Sequence, residues 1–165
     1  MKIACLKTKD YITQYRDQDK FFALCEKCPN FNKVWSCPPY DFSGLSIFTP
    51  YTYIYIFAHK ISPEKNLRQE RKILDSKLLE LEHRHPDSLA FYAGSCVICD
   101  ECTRAKGEKC TNPSSMRYSL ESLGFDLSLT SKDLLGIDIK WGKNGQAPEY
   151  YTLISALCSK TEIEI

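Results

Sequence analysis

Residues 51–58, Tyr-Thr-Tyr-Ile-Tyr-Ile-Phe-Ala, are apolar or aromatic on both faces of an extended chain, the pattern of a short strand buried in the middle of a sheet. A change of period follows. Ser62 can cap a helix with Pro63 in its first turn, and Leu67, Leu74, Leu78 and Leu81 recur on one face until His85-Pro86 stops it. A second apolar stretch at 89–93 completes a β-α-β unit, for which a right-handed crossover and parallel strands are expected.

Farther on, Asn112-Pro113 reads as a helix start and Gly124 as its stop, with Met116, Leu120 and Leu123 on one buried face. Thr130-Ser131-Lys132-Asp133 matches a capping box and predicts a shorter helix. Ile137, Ile139 and Trp141 alternate with polar residues, 142–148 turn the chain, and 150–157 form another apolar strand, so a long-looped hairpin is expected. No repeat, low-complexity tract or linker interrupts the chain. The pattern predicts one α+β domain over residues 1–165: a mixed sheet of about four strands flanked by helices, with two cysteine-rich irregular segments.

Length and charge narrow the function. A chain of 165 residues with 43% hydrophobic residues can build a core without staples. A net charge of +1, from 22 basic and 21 acidic side chains, gives no field for a polyanion, so no nucleic-acid partner is expected. Lys7, Lys9 and Asp10 break up the N-terminal segment before any secretory core forms, and no apolar run approaches the roughly 20 residues of a membrane helix. A soluble, cytoplasmic protein without a membrane partner is the expectation.

The nine cysteines change the picture. In a reducing cytoplasm they are not a disulfide framework, and their close spacing points to metal or redox chemistry. Cys96, Cys99 and Cys102 stand at i, i+3 and i+6, the opening of a ferredoxin-type pattern, with Cys110 as a fourth thiol. A cubane presents several iron corners that one tightly turning loop can reach. A single zinc usually takes two separated C-x-x-C knuckles. The expected cofactor is therefore an iron–sulfur cluster, [4Fe–4S] in type, with zinc as the alternative; the seven-residue gap before Cys110 departs from the ferredoxin spacing.

Cys25, Cys28 and Cys37 form a second group, stiffened by Pro29, Pro38 and Pro39 and accompanied by Phe31, Trp35, Tyr40 and Phe42, which can wrap the site. Three thiols leave one position open. They can hold a second cluster whose remaining corner takes Cys5, His59 or an outside ligand, bind zinc with such a group, or complete a centre shared with the other four. Cys5 and Cys158, isolated near the ends, read as core residues, and His59 as structural. His83 and His85 complement a helix C-terminus. Arg117 and Glu121, four apart on the expected helix, read as an ion pair.

The two groups together, Cys25-x-x-Cys28-Pro29, Trp35-x-Cys37-Pro-Pro, and Cys96-x-x-Cys99-x-x-Cys102 with Cys110, Pro113, Ser119, Glu121 and Gly124, resemble a family of uncharacterised, cysteine-rich predicted metal-binding proteins of bacteria and archaea. The resemblance implies metal binding at the seven grouped cysteines and adds no reaction. Three functions remain open: an iron–sulfur protein serving a redox partner protein, a zinc-stapled interaction module, and an enzyme using an open metal position at Cys25, Cys28 and Cys37. The chain has no Walker loop, dinucleotide glycine fingerprint, H-E-x-x-H or C-x-x-x-C-x-x-C motif.

Overall fold

A computed structural model describes all residues, 1–165. Four strands, β1 (Lys2–Lys7), β2 (Tyr53–Ile61), β3 (Ser88–Phe91) and β4 (Tyr151–Ser159), form one sheet in the order β1-β2-β4-β3. Four helices accompany it: α1 (Thr8–Tyr15), α2 (Gln18–Cys25), α3 (Leu67–Arg84) and α4 (Leu127–Leu135). The fold is α+β, as the sequence predicts.

The sheet is buried on both faces because its central strands carry apolar residues on both. Ile54, Ile56 and Ala58 of β2 and Ile154, Ala156 and Cys158 of β4 join Tyr11, Phe48, Phe125 and Leu135 in the larger core. Tyr55, Phe57 and Leu157 point to the opposite face, where Leu78 and Leu81 of α3 cover them. Asn66 caps α3 by accepting from the Gln69 amide at 3.0 Å, so the helix begins four residues beyond the expected Ser62-Pro63 start.

The remaining differences share a cause, the position of β4. It pairs antiparallel with β2 through Tyr55 and Leu157 and antiparallel with β3 through Phe91 and Ala156. β2 and β3 therefore run in the same direction, as expected of the β-α-β unit, but they are not neighbours, and every adjacent pair in the sheet is antiparallel rather than mixed. With both edges of β4 occupied, residues 137–141 cannot form the expected hairpin with it. Ile137 instead enters the core and Trp141 stands 73% exposed.

Residues 112–124 are not a helix. Tyr92 donates its amide to the Tyr118 carbonyl at 2.8 Å, which holds this part of the chain extended beside the end of β3; only residues 121–123 make a helical turn, ended by Gly124 at φ +95°. Leu120 and Leu123 are buried as the spacing requires. The helix expected at Thr130 starts earlier, with Asp126 accepting from the Leu129 amide at 2.9 Å. Thr130 and Ser131 are buried within α4 and bond to the carbonyls of Asp126 and Ile137. No helix is long and apolar enough to cross a membrane.

Candidate metal centre

The chain leaves β3, turns at Gly94 (φ +83°) and enters the irregular stretch 95–111. α3 anchors it: Arg71 donates to the Ser95 carbonyl and Arg68 to the Cys99 carbonyl at 2.7 Å. A turn at 103–106 ends at Gly107 (φ +72°), and Thr103 donates to the Lys109 carbonyl at 2.8 Å, which folds Cys110 back toward the other thiols. Cys96, Cys99, Cys102 and Cys110 line one small cavity with Val34, Trp35, Ile98 and Met116.

Two of these sulfurs accept hydrogen bonds from nitrogen. Asn112 Nδ2 donates to Cys99 Sγ at 3.2 Å, and the Trp35 amide donates to Cys102 Sγ at 3.4 Å. Such bonds stabilise negative charge on sulfur. Burial pushes the Cys96 thiol up, the Ile98 amide works against this, and the charges of Asp75, Cys99 and Cys110 add to it. A metal binding there must displace the proton. The space among the thiols is about 20 Å³, room for one water-sized body, and no three metal-ligating side chains stand close enough to share a single ion. By chemistry the four thiols, their N–H donors and the apolar rim fit a thiolate-held metal centre.

Cys25 ends α2, and the loop beyond it winds on itself through bonds from the Cys28 amide to the Cys25 carbonyl (2.9 Å), Phe31 to Cys28 (3.0 Å) and Cys37 to Val34 (2.9 Å). Burial pushes the Cys37 thiol up to about 12, the Ser36 hydroxyl opposes, and the charges of Cys28, Cys25 and Glu121 raise it further. Cys25 is raised by burial and then by Cys28 and Glu121. These three thiols and Glu121 form one electrostatic group. Of the expected aromatic wrap, Tyr40 and Phe42 stack on each other at 4.9 Å with Tyr118 edge-on to both, and Phe31 meets Phe22, whereas Trp35 faces the other thiols.

The two cysteine segments share a seam. Arg104 of the second donates to the carbonyls of Val34 (3.1 Å), Cys37 and Pro39 (2.6 Å) of the first, and its guanidinium lies 5.2 Å from the Trp35 ring centre. The Cys96 amide donates to the Ser36 hydroxyl at 2.8 Å. Behind the seam lies a far larger cavity of about 920 Å³, whose wall includes Cys25, Cys28, Arg71 and Glu121. Arg71 carries no signal of its own in the sequence, where its neighbours mark only an amphipathic helix.

A family model described as a predicted metal-binding protein, DUF2284, matches residues 9–157. The chain belongs to this family. No curated protein and no solved structure matches it. The region matched to DUF2284 contains all seven grouped cysteines, Cys25, Cys28 and Cys37 in one segment and Cys96, Cys99, Cys102 and Cys110 in the other. The residues outside the groups are placed differently from one another in this DUF2284 fold. Cys158 is fully buried, as expected, but Cys5 is exposed on β1, the edge of the sheet. Burial lowers His59, helped by Met1's amino group and Lys77, with no thiol acting on it. Arg117 pairs with Glu82 rather than Glu121, because the absent helix never sets the two on one face.

Proposed function

We propose that this DUF2284 protein holds an iron–sulfur cluster on Cys96, Cys99, Cys102 and Cys110 and passes electrons to or from a partner protein. The observation that carries the reading is the convergence of four thiols on one cavity, two of them accepting N–H hydrogen bonds. A cluster offers separate iron corners to its ligands, so its thiolates stand farther apart than those of a zinc site. When bound, it supplies one-electron chemistry. Asn112 and the Trp35 amide donate to sulfur and favour the more negative state; Val34, Ile98 and Met116 limit water. The surrounding loop carries Asp100, Glu101 and Lys106 exposed to solvent, a charged rim suited to a transient encounter. The test is anaerobic reconstitution with iron and sulfide, followed by metal analysis and paramagnetic resonance; a zinc-loaded, iron-free and redox-silent protein is the contrary result.

A second reading rests on its own observation: Cys25 and Cys28 open on the 920 Å³ cavity. Metal held by Cys25, Cys28 and Cys37 would then present its free position to a bound molecule, and the site would be enzymatic. Serine at Cys37 that leaves the turnover of a cavity-bound substrate unchanged would count against it.

A further inference from the structure

The large cavity is bounded by apolar surface from Phe21, Phe125, Ile154 and Trp141 and by charged side chains that include Arg71 and Glu121. Its volume of about 920 Å³ lies at the upper end of the range for small-molecule sites. Arg71 and Glu121 are positioned with care. Gly94 has no Cβ, and one built there would stand 3.1 Å from Arg71 Nη2 and 3.3 Å from Cζ, so the guanidinium rests in a cradle that a side chain would fill. Arg71 uses one N–H to hold the Ser95 carbonyl and makes no other hydrogen bond, leaving donors on a group that has five. Its Nε is buried without a partner. Glu121 Oε2 is likewise buried without a partner, and Arg71 is close enough to act on the charge of Glu121.

Buried donors and acceptors left unpaired are costly, and their concentration in one cavity marks a place where something else completes the bonding. Lys20 and Lys140 also line the cavity, with Asp126 pairing Lys20 at 3.3 Å; with Glu121 set against Arg71, the positive charge of Lys140 is left over and favours an anion. We propose that the cavity binds an α-hydroxy or α-amino acid with a bulky apolar side chain. The carboxylate takes the free N–H groups of Arg71, and the hydroxyl or ammonium donates to Glu121. The apolar body lies against Phe21, Phe125 and Trp141. The inference goes beyond the cluster reading and requires no metal, but it places the ligand one residue from the cluster loop, because Arg71 holds the carbonyl of Ser95 beside Cys96.

Calorimetric titration of the full chain with 3-phenyllactate and L-phenylalanine, metal-free and after reconstitution, tests it. One-site binding of both is expected in both states, with weaker binding of 3-phenylpropionate, which lacks the α donor. Arg71→Met should weaken binding about 10–100-fold, the value of a charge-assisted hydrogen bond. Ser128→Trp places bulk at the exposed edge of the cavity, away from the core, and should abolish it. Cys96→Ser should remove the cluster and leave the ligand bound. Absence of binding to either acid, binding unchanged by either Arg71→Met or Ser128→Trp, or 3-phenylpropionate binding as tightly as the substituted acids overturns the assignment, and none of these results depends on the cluster.

Discussion

The backbone amide of Trp35 donates to the sulfur of Cys102 at 3.4 Å, so a residue from the first cysteine segment forms part of the wall around the second. Sixty-seven positions apart in the chain, the two segments are one structural unit. Arg104 secures it through three carbonyls that have no other side-chain donor. Arg104→Ala should lower stability by about 1–3 kcal/mol, since it leaves these acceptors without their charged donor. Hydrogen exchange should quicken at both Val34–Cys37 and the 96–110 loop; quickening at one alone would mean that the segments are independent.

Asn112 donates to Cys99 Sγ at 3.2 Å, the one side-chain nitrogen bonded to a thiol of the group. Hydrogen bonds to sulfur stabilise the reduced, more negative cluster. Asn112→Ala should therefore shift the reduction potential to more negative values with iron content unchanged. Protein-film voltammetry measures the shift, and a potential unchanged or more positive would remove Asn112 from this role.

Glu82 and Arg117 form a largely buried pair between α3 and the segment after Cys110, and Glu82 Oε2 also accepts from the Ala90 amide at 2.6 Å. Burial works to raise the Glu82 carboxyl, but Arg117 and the Ala90 amide outweigh it and hold the group below its ordinary value. Its stabilising contribution is present above the ordinary glutamate range and is lost as pH falls through the lowered value. Arg117→Ala strands the carboxylate and should cost about 3–5 kcal/mol at neutral pH, less in acid. Urea denaturation at two pH values checks both size and sign.

Asp75 gives the opposite dependence. Burial pushes its carboxyl up to about 7, against the pull of Arg71. The folded protein then holds a proton that the unfolded chain has released, so this group's contribution is full below the ordinary aspartate value and declines as pH rises toward 7. The difference in unfolding free energy between Asp75→Asn and the parent should grow in favour of the variant over that window, on the order of 2–4 kcal/mol, and level off above it. A difference that is flat with pH would show that Asp75 is ionised throughout.

Strand β2, helix α3 and the thiol spacing 96–99–102 were legible because each is a local pattern: an apolar run, a 3.6-residue stripe, a tight loop. The place of β4 was not, since nothing within residues 150–157 says that both its edges will be taken. From that one fact follow the antiparallel sheet and the missing strand at Ile137. Residues 112–124 carry a helical stripe, but Tyr92 at the end of β3 draws Tyr118 into an extended pairing that no local signal reveals. Glu121 was read against Arg117 for the same reason; its true neighbours, Arg71 and the thiols of Cys25 and Cys37, come from distant parts of the chain. The thiols themselves were found by spacing, whereas the donors to their sulfurs, Trp35 and Asn112, required the fold.

A cluster would need the 96–110 loop to spread around a cavity of about 20 Å³, whereas a single zinc would need the thiols to draw together. The central claim concerns which of the two binds. Iron and acid-labile sulfide counted per chain after anaerobic reconstitution, in the parent and in Cys96→Ser, Cys99→Ser and Cys102→Ser, test it most directly. The account predicts about four irons with matching sulfide in the parent and loss of both in each variant; stoichiometric zinc without sulfide, or iron retained when these cysteines are replaced, would contradict it.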